Sequence, residues 1–193
     1  LILYFVSMFI QTEQTPNPST LKFMPESKVL KEGTMEFKNK EEAQNSLLAT
    51  KLFENDSVKS IFLGTDFITV TKADSYEWEA IKPDILSKIM DFFTSGLPVI
   101  NSIKKEKKIK SNYNKKDTKI IEQIENLLEE KIKPAVAQDG GDIRFIKFTE
   151  GIVYLEMRGS CAGCPSSSLT LKSGVENMLK YYIPEIVSVE AVN

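Results

Sequence analysis

Cys161 and Cys164 are the side chains with the clearest capacity for chemistry in this chain, and they are its only two cysteines. They stand in the run GSCAGCP, residues 159–165, where a predicted strand turns into a predicted helix. Their spacing allows both sulfurs to face one metal centre, and thiolate is the form that binds iron, zinc or copper(I). Because the positive dipole end of a helix favours anionic sulfur, we expect both thiols to be unusually acidic.

The number of available ligands limits what this pair can do. Structural zinc sites and two- or four-iron clusters commonly take four protein ligands, and the chain of 193 residues has two Cys and no His. Either two chains share one metal centre, or the pair works as a dithiol without metal. Two buried, unreactive cysteines or a structural disulfide are the alternatives without chemistry. The absence of His also excludes His-based triads and imidazole catalysis.

A second feature is the loop Asp139-Gly140-Gly141-Asp142. Paired glycines permit positive φ and close approach of the backbone. The two carboxylates are too few for a calcium ion, which takes six to eight oxygen ligands. Taken alone, the loop is predicted to be a tight connection from a helix to a strand.

The elements around the cysteines predict a small domain in the order α-β-β-α-β. A helix is expected over residues 118–132, ending before Pro134, and strands over 143–148 and 152–157 are joined by a hairpin at Glu150-Gly151. A helix over 166–181 and a strand over 185–192 complete the domain. Both cysteines are then placed between the second strand and the second helix.

The amino-terminal half predicts a second α+β domain that carries no catalytic residues. Strands are expected over residues 8–12, 20–24, 34–37, 58–63 and 67–71, the last two joined at Gly64-Thr65-Asp66. A helix over 40–53 is capped by Asn39, and a helix over 82–94 has Pro83 in its first turn and ends at Gly96. We expect Trp78 to be a packing residue.

A basic segment separates the two halves. Residues 101–116 contain seven Lys and one Glu, a local charge of 7 − 1 = +6. A block of like charge with few apolar side chains usually stays extended, so we expect a flexible, Lys-rich linker over residues 101–117. A basic patch for nucleic acid or an acidic partner is the alternative, but no aromatic stacking platform accompanies it.

Composition excludes several further classes of protein. The net charge is −2 and Arg occurs only twice, so sequence-specific reading of nucleic acid is not expected. Two Cys are too few for a small secreted disulfide framework. The apolar run 1–10 is too short to span a membrane and has no basic residue before it. We expect residues 1–7 to come from upstream of the true start, and the rest to be bacterial and cytoplasmic, or an organellar protein already processed.

Specific motifs relate the sequence to a known family. The run KPAVAQDGGD (133–142), a strand over 152–157 and GSCAGCP together resemble the NifU C-terminal (Nfu) domain, over about residues 120–192. The run MFIQTEQTPNPSTLKFM (8–24), with GLPV at 96–99, is similar to the amino-terminal domain joined to it in mitochondrial and alphaproteobacterial Nfu proteins. The implied organisation is an Nfu N-terminal-type domain over 8–100 and a cluster-binding domain over 118–193.

The resemblance implies a scaffold or carrier and not an enzyme. It implies that Cys161 and Cys164 bind a [4Fe-4S] cluster, or a [2Fe-2S] cluster, between the two subunits of a homodimer. The implied partners are a cluster donor and recipient apo-proteins, with neither nucleic acid nor membrane. A thioredoxin-like dithiol oxidoreductase and a zinc-bridged structural dimer remain open, and the alternative to a bacterial cytoplasm is the mitochondrial matrix, after removal of a transit peptide.

Overall fold

The computed structural model describes residues 9–101, 115–163 and 165–192. The chain divides into two compact units, Leu1–Ile103 and Lys104–Asn193. Each unit combines helices with a sheet, so the predicted α+β class with two domains is confirmed. The predictions for residues 1–7, for most of the basic segment and for the position of Cys164 lie outside the described residues.

The first unit is built on a five-stranded antiparallel sheet. The strands are β1 (Ile10–Gln14), β2 (Thr20–Pro25), β3 (Met35–Phe37), β4 (Val58–Leu63) and β5 (Ile68–Lys72). Their order in the sheet is β1-β2-β5-β4-β3. A turn over residues 15–18 leads from the first strand to the second, and the Thr20 N–H donates to the Asn17 carbonyl at 2.9 Å.

The predicted helix over residues 40–53 is wrong as a single element. A 3₁₀ turn, Glu42–Asn45, comes first, and helix α1, Leu47–Leu52, begins after a break at Ser46. The buried Ser46 hydroxyl accepts from the Ala49 N–H at 3.1 Å and donates to the Val99 carbonyl at 2.9 Å. Ser46 therefore caps α1 in an extended conformation, and this interrupts the helical pattern.

Helix α2, Trp78–Thr94, begins four residues earlier than predicted. Pro83 lies inside this helix and not in its first turn. Proline leaves the carbonyl four residues earlier without a donor, and Glu79, which carries that carbonyl, is exposed to water. The apolar face of α2 packs on the sheet through Ile81, Ile85, Ile89 and Phe92, and Gly96, with φ 69°, follows the end of the helix.

The first helix of the second unit among the described residues does not end before Pro134. Helix α3, Lys115–Leu127, continues through one π-helical stretch, Leu128–Ile132, into helix α4, Lys133–Gln138. Pro134 lies in the first turn of α4, where a missing N–H costs little. The Lys133 N–H donates to the Leu128 carbonyl, and this wider turn lets the helix pass the proline.

The remaining elements form the predicted order around a three-stranded sheet. Strands β6 (Gly141–Thr149) and β7 (Ile152–Gly159) are antiparallel, and helix α5 (Pro165–Tyr182) leads to β8 (Ser188–Val192), which is parallel to β7. Glu150 and Gly151 have φ of 52° and 80° and form the predicted hairpin turn. No helix among the described residues is long and apolar enough to cross a membrane.

Candidate metal centre

Cys161 lies in the turn that follows β7 and precedes α5. Its side chain is 6% exposed and belongs to the apolar core of the second unit. The Ala162 N–H donates to the Gly159 carbonyl at 3.1 Å, and Gly159 and Gly163 have φ of 64° and 79°. These two positive φ values explain why glycine stands on both sides of the cysteine. Cys164 itself is outside the described residues.

Gly141, the first residue of β6, lies directly against Cys161. It pairs with Gly159 across the sheet. A Cβ atom at Gly141 would overlap the Cys161 Sγ and lie 2.8 Å from the Arg158 carbonyl oxygen. The loop at 139–142 therefore does more than connect α4 to β6, because its second glycine leaves the space that the cysteine side chain occupies.

Ser160 fixes the same turn from the other side. Its backbone N–H donates to the Gly140 carbonyl at 3.2 Å, and its hydroxyl donates to the Asp139 carbonyl at 2.5 Å. The hydroxyl oxygen is also 3.9 Å from the Cys161 Sγ. Sequence reasoning missed Ser160 and the contact of Gly141, although the paired glycines were a signal that two backbones approach each other closely.

Asp139 and Asp142 lie near Cys161, but these two carboxylates do not form a metal site on their own. The Asp142 Oδ1 accepts from the Ile143 N–H at 2.8 Å, and Asp142 is buried. Within the described ranges, no three Cys, His, Asp or Glu side chains come close enough together to hold a metal ion.

Burial raises the pKa of the Cys161 thiol to about 11. The Ser160 hydroxyl acts in the opposite direction, while the nearby charges of Asp139 and Asp142 raise the pKa further. The expectation of an unusually acidic thiol is therefore wrong for Cys161. The argument from the helix dipole considered only local sequence, whereas desolvation by the surrounding core disfavours the thiolate.

Comparison with known proteins covers both units. Residues 10–96 match the family described as "Scaffold protein Nfu/NifU N terminal", and residues 124–190 match the "NifU-like domain". A Homo sapiens protein named "NFU1 iron-sulfur cluster scaffold homolog, mitochondrial" is 47% identical over 186 residues, which cover 96% of this chain and 72% of the relative. A protein of the same name from Drosophila sechellia is 49% identical over 187 residues, and the chain spans 65% of its length.

Solved structures also resemble this chain. A NifU-like protein from Saccharomyces cerevisiae, solved by NMR, has a TM-score of 0.45 and 30% identity, and the match covers 50% of this chain and 87% of that one. A crystal structure of a Staphylococcus aureus protein has a TM-score of 0.38 and 25% identity, over 42% of this chain and 99% of that one.

Proposed function

The chain belongs to the Nfu/NifU family of iron–sulfur cluster scaffold proteins, and from that premise we propose that it is a carrier of iron–sulfur clusters. In this proposal two chains hold one [4Fe-4S] cluster through Cys161 and Cys164 of each, and the cluster is cargo that passes to apo-proteins. The chain acts as a scaffold and does not turn over a substrate as an enzyme does.

The observation that carries the proposal is the number of metal-binding side chains in the chain. A cluster commonly takes four thiolates, and one chain offers two cysteines and no His. Two chains supply the full set. A centre that is held at an interface is lost when the interface opens, and this property suits delivery better than permanent electron transfer.

The residues around Cys161 support the proposal by fixing one ligand in place. Gly141 leaves room for the sulfur, and Ser160 ties the turn to the loop at 139–142 through two hydrogen bonds. A ligand whose position is fixed in advance loses less conformational entropy when it binds its cargo. The loop that resembled a simple connection therefore contributes to binding by positioning Cys161.

A dithiol oxidoreductase receives less support from the structure. The cysteine pair of a thioredoxin-like protein is expected after an early strand of a βαβ unit, whereas Cys161 follows the antiparallel hairpin of β6 and β7. A zinc-bridged dimer uses the same four thiolates, so the metal content of the purified protein distinguishes it from a cluster carrier.

Mitochondria are the compartment that we propose for this chain. Its relatives from Homo sapiens and Drosophila sechellia carry the word mitochondrial in their names. The expectation of a bacterial, cytoplasmic protein receives no support from these relatives. Fractionation of cells expressing the native gene tests the proposal, and recovery of the protein in the cytosol alone would contradict it.

The domain boundaries are also part of the proposal. We place an Nfu N-terminal-type domain at residues 8–100 and the cluster-binding domain at residues 118–193. Fragments with these bounds should each give a cooperative unfolding transition. A fragment that unfolds without a transition would show that its boundary is misplaced.

Replacing the ligands tests the site. Cys161→Ser and Cys164→Ser should each abolish cluster binding and cluster-dependent dimerisation after reconstitution without oxygen, because a hydroxyl is a poor substitute for thiolate. Ala162→Ser is the matched control, since it adds a hydroxyl to the same turn and keeps both sulfurs. Iron content and solution mass are measured for all three. A cysteine variant that keeps the full iron content and the dimer would exclude the shared site.

A further inference from the structure

The Ser160 hydroxyl is buried beside Cys161, one of the two proposed iron ligands. Ser160 is 1% exposed, and its Oγ lies 2.5 Å from the Asp139 carbonyl oxygen and 3.9 Å from the Cys161 Sγ. The first distance is that of a hydrogen bond donated by the hydroxyl, and the second suits a hydrogen bond with sulfur, which is larger than oxygen. Because Ser160 is shielded from water, these two neighbours decide where the hydroxyl proton points.

While Cys161 carries its proton, the three groups form a chain of hydrogen bonds. The Ser160 hydroxyl has one proton and two lone pairs, and it donates that proton to the Asp139 carbonyl. The contact between Ser160 and Cys161 then has the thiol S–H as its donor and the Ser160 Oγ as its acceptor. Both contacts of the hydroxyl are therefore satisfied in the metal-free chain.

Binding of iron removes the thiol proton, because the thiolate is the form that ligates a metal. The Ser160 Oγ and the Cys161 sulfur would then present lone pairs to each other. Rotation about the Ser160 Cβ–Oγ bond removes this conflict, since it directs the hydroxyl proton to the sulfur without moving a heavy atom. Asp139 is an exposed residue, so water can replace the hydroxyl at its carbonyl. A hydrogen bond to an ionised group is also stronger than one between neutral groups.

The backbone donors on either side of the cysteine are used elsewhere. The Ser160 N–H donates to the Gly140 carbonyl at 3.2 Å, and the Ala162 N–H donates to the Gly159 carbonyl at 3.1 Å. These N–H groups have fixed directions, whereas a hydroxyl proton can be redirected by rotation. The Ser160 hydroxyl can therefore donate to either neighbour while the backbone of the turn stays in place.

We propose that Ser160 is a positioning residue for the cargo, whose hydroxyl turns from Asp139 to the Cys161 sulfur when that sulfur binds iron. This inference rests on the proposed cluster carrier. Hydrogen bonds to the sulfurs of a cluster draw electron density away from it and are one determinant of its reduction potential. Ser160 therefore makes the bound cluster easier to reduce.

Infrared spectroscopy of the metal-free, full-length chain tests the contact itself. Cys164→Ser leaves Cys161 as the only thiol, so the S–H stretching band belongs to one residue. Adding Ser160→Ala should move this band to higher frequency, because the S–H group loses its acceptor. Adding Ser173→Ala, at an exposed position of α5, is the matched control and should leave the band in place. A band that does not respond to Ser160→Ala would overturn the proposal.

The reduction potential of the reconstituted cluster tests the consequence. A redox titration followed by electron paramagnetic resonance compares wild type, Ser160→Ala, Ser160→Thr and Ser173→Ala, and the iron content of each is measured. Ser160→Ala should shift the potential to a more negative value. Ser160→Thr keeps the hydroxyl, so it and Ser173→Ala should keep the wild-type potential. A purely structural role of Ser160 would lower stability or iron content without this pattern.

Resonance Raman spectroscopy of the wild-type cluster does not depend on how well a variant folds. Transfer from H₂O to D₂O should shift an iron–sulfur stretching band, because the hydrogen bond from Ser160 becomes a deuterium bond. In Ser160→Ala this shift should be smaller, whereas Ser173→Ala should retain it in full.

Three results with the loaded protein would overturn this inference alone, since iron is bound in each case. They are an unchanged potential in Ser160→Ala at full iron content, an equal shift of potential in Ser160→Ala and Ser160→Thr, and no effect of D₂O on the wild-type spectrum. A wild-type chain that takes up no iron would overturn the cluster carrier and this inference together.

Discussion

At the scale of single residues, the turn that carries Cys161 depends on the missing side chain of Gly141 as much as on the cysteine itself. Cys161 is buried because β6 begins with a glycine, and the sulfur occupies the place where a Cβ atom would stand. Ser160 then joins the turn to the loop at 139–142. Cys161, Ser160 and the paired glycines therefore act together, although twenty residues of sequence separate them.

Gly141→Ala should destabilise the second unit by about 1–3 kcal/mol, because the new methyl group meets both the Cys161 sulfur and a backbone oxygen. Gly174→Ala is the control, since a Cβ atom there meets no atom within 4 Å, and it should stabilise α5 by about 0.5–1 kcal/mol. Urea unfolding followed by far-UV circular dichroism measures both. Equal stability of the two variants would show that the tight contact at Gly141 does not exist.

Residue types and spacing alone predict Cys161 and Cys164 as the ligands, and this stays a prediction. The contact between Gly141 and Cys161 could not be predicted in the same way, because it depends on the register that places Gly141 opposite Gly159. The pKa of Cys161 was mispredicted for a related reason. A helix dipole is a local property, whereas burial is decided by the whole unit.

At the scale of elements, the Glu176 side chain helps to join α5 to β8. The Glu176 carboxylate accepts from Lys180 Nζ at 2.6 Å within the helix and from the Val189 backbone N–H at 2.9 Å on the strand. Both hydrogen bonds lower the pKa of Glu176 below its ordinary value of 4.5, the one with Lys180 having the larger effect. This contact helps to hold the helix that follows the cysteine turn against the last strand.

Glu176→Gln should make the stability of the second unit less dependent on acid pH. Because the folded-state pKa is lowered, the stabilisation by Glu176 is present above pH 4.5 and is lost as the pH falls through the folded value. Wild-type stability should therefore decrease more steeply than that of the variant between about pH 5 and pH 3. Exposed Glu185 provides the control Glu185→Gln. If the stability of Glu176→Gln and that of the wild type change with pH in parallel, Glu176 is not the source of this acid dependence.

Ser46→Ala should destabilise the first unit by roughly 1–3 kcal/mol, because it removes the cap of α1 and one of two donors to the Val99 carbonyl, which keeps only the Leu47 N–H. Exposed Ser75 provides the control Ser75→Ala. Trp78 lies in the same unit and reports its unfolding in urea. If the urea midpoint of Ser46→Ala equals that of Ser75→Ala, the capping contact contributes nothing to the stability of the first unit.

The strands and hairpins lie close to the positions predicted from the alternation of apolar and polar residues and from turn residues such as Glu150-Gly151. The helices were less predictable at three positions. Ser46 interrupts an apolar pattern because it bonds to Val99, fifty-three residues later, and Pro83 and Pro134 stand inside helical segments that packing and solvent allow to continue. A tertiary contact at Ser46, exposure to water at Pro83 and the wider helical turn before Pro134 outweighed the local preference.

At the scale of the whole molecule, the two units have separate apolar cores. Val153→Ala removes a fully buried side chain from the second core and should cost that unit roughly 1–3 kcal/mol. The urea transition reported by Trp78 should stay unchanged, because Trp78 belongs to the other core. A shift of that transition would show that the two units unfold as one.

The most direct test of the central claim is the content of iron, sulfide and zinc per chain, with the solution mass, after reconstitution without oxygen. A [4Fe-4S] cluster shared by two chains predicts about two iron and two sulfide per chain and a dimeric mass. About half a zinc per chain in a dimer would identify a structural metal bridge instead. A metal-free monomer after reconstitution would contradict the account of a cluster carrier.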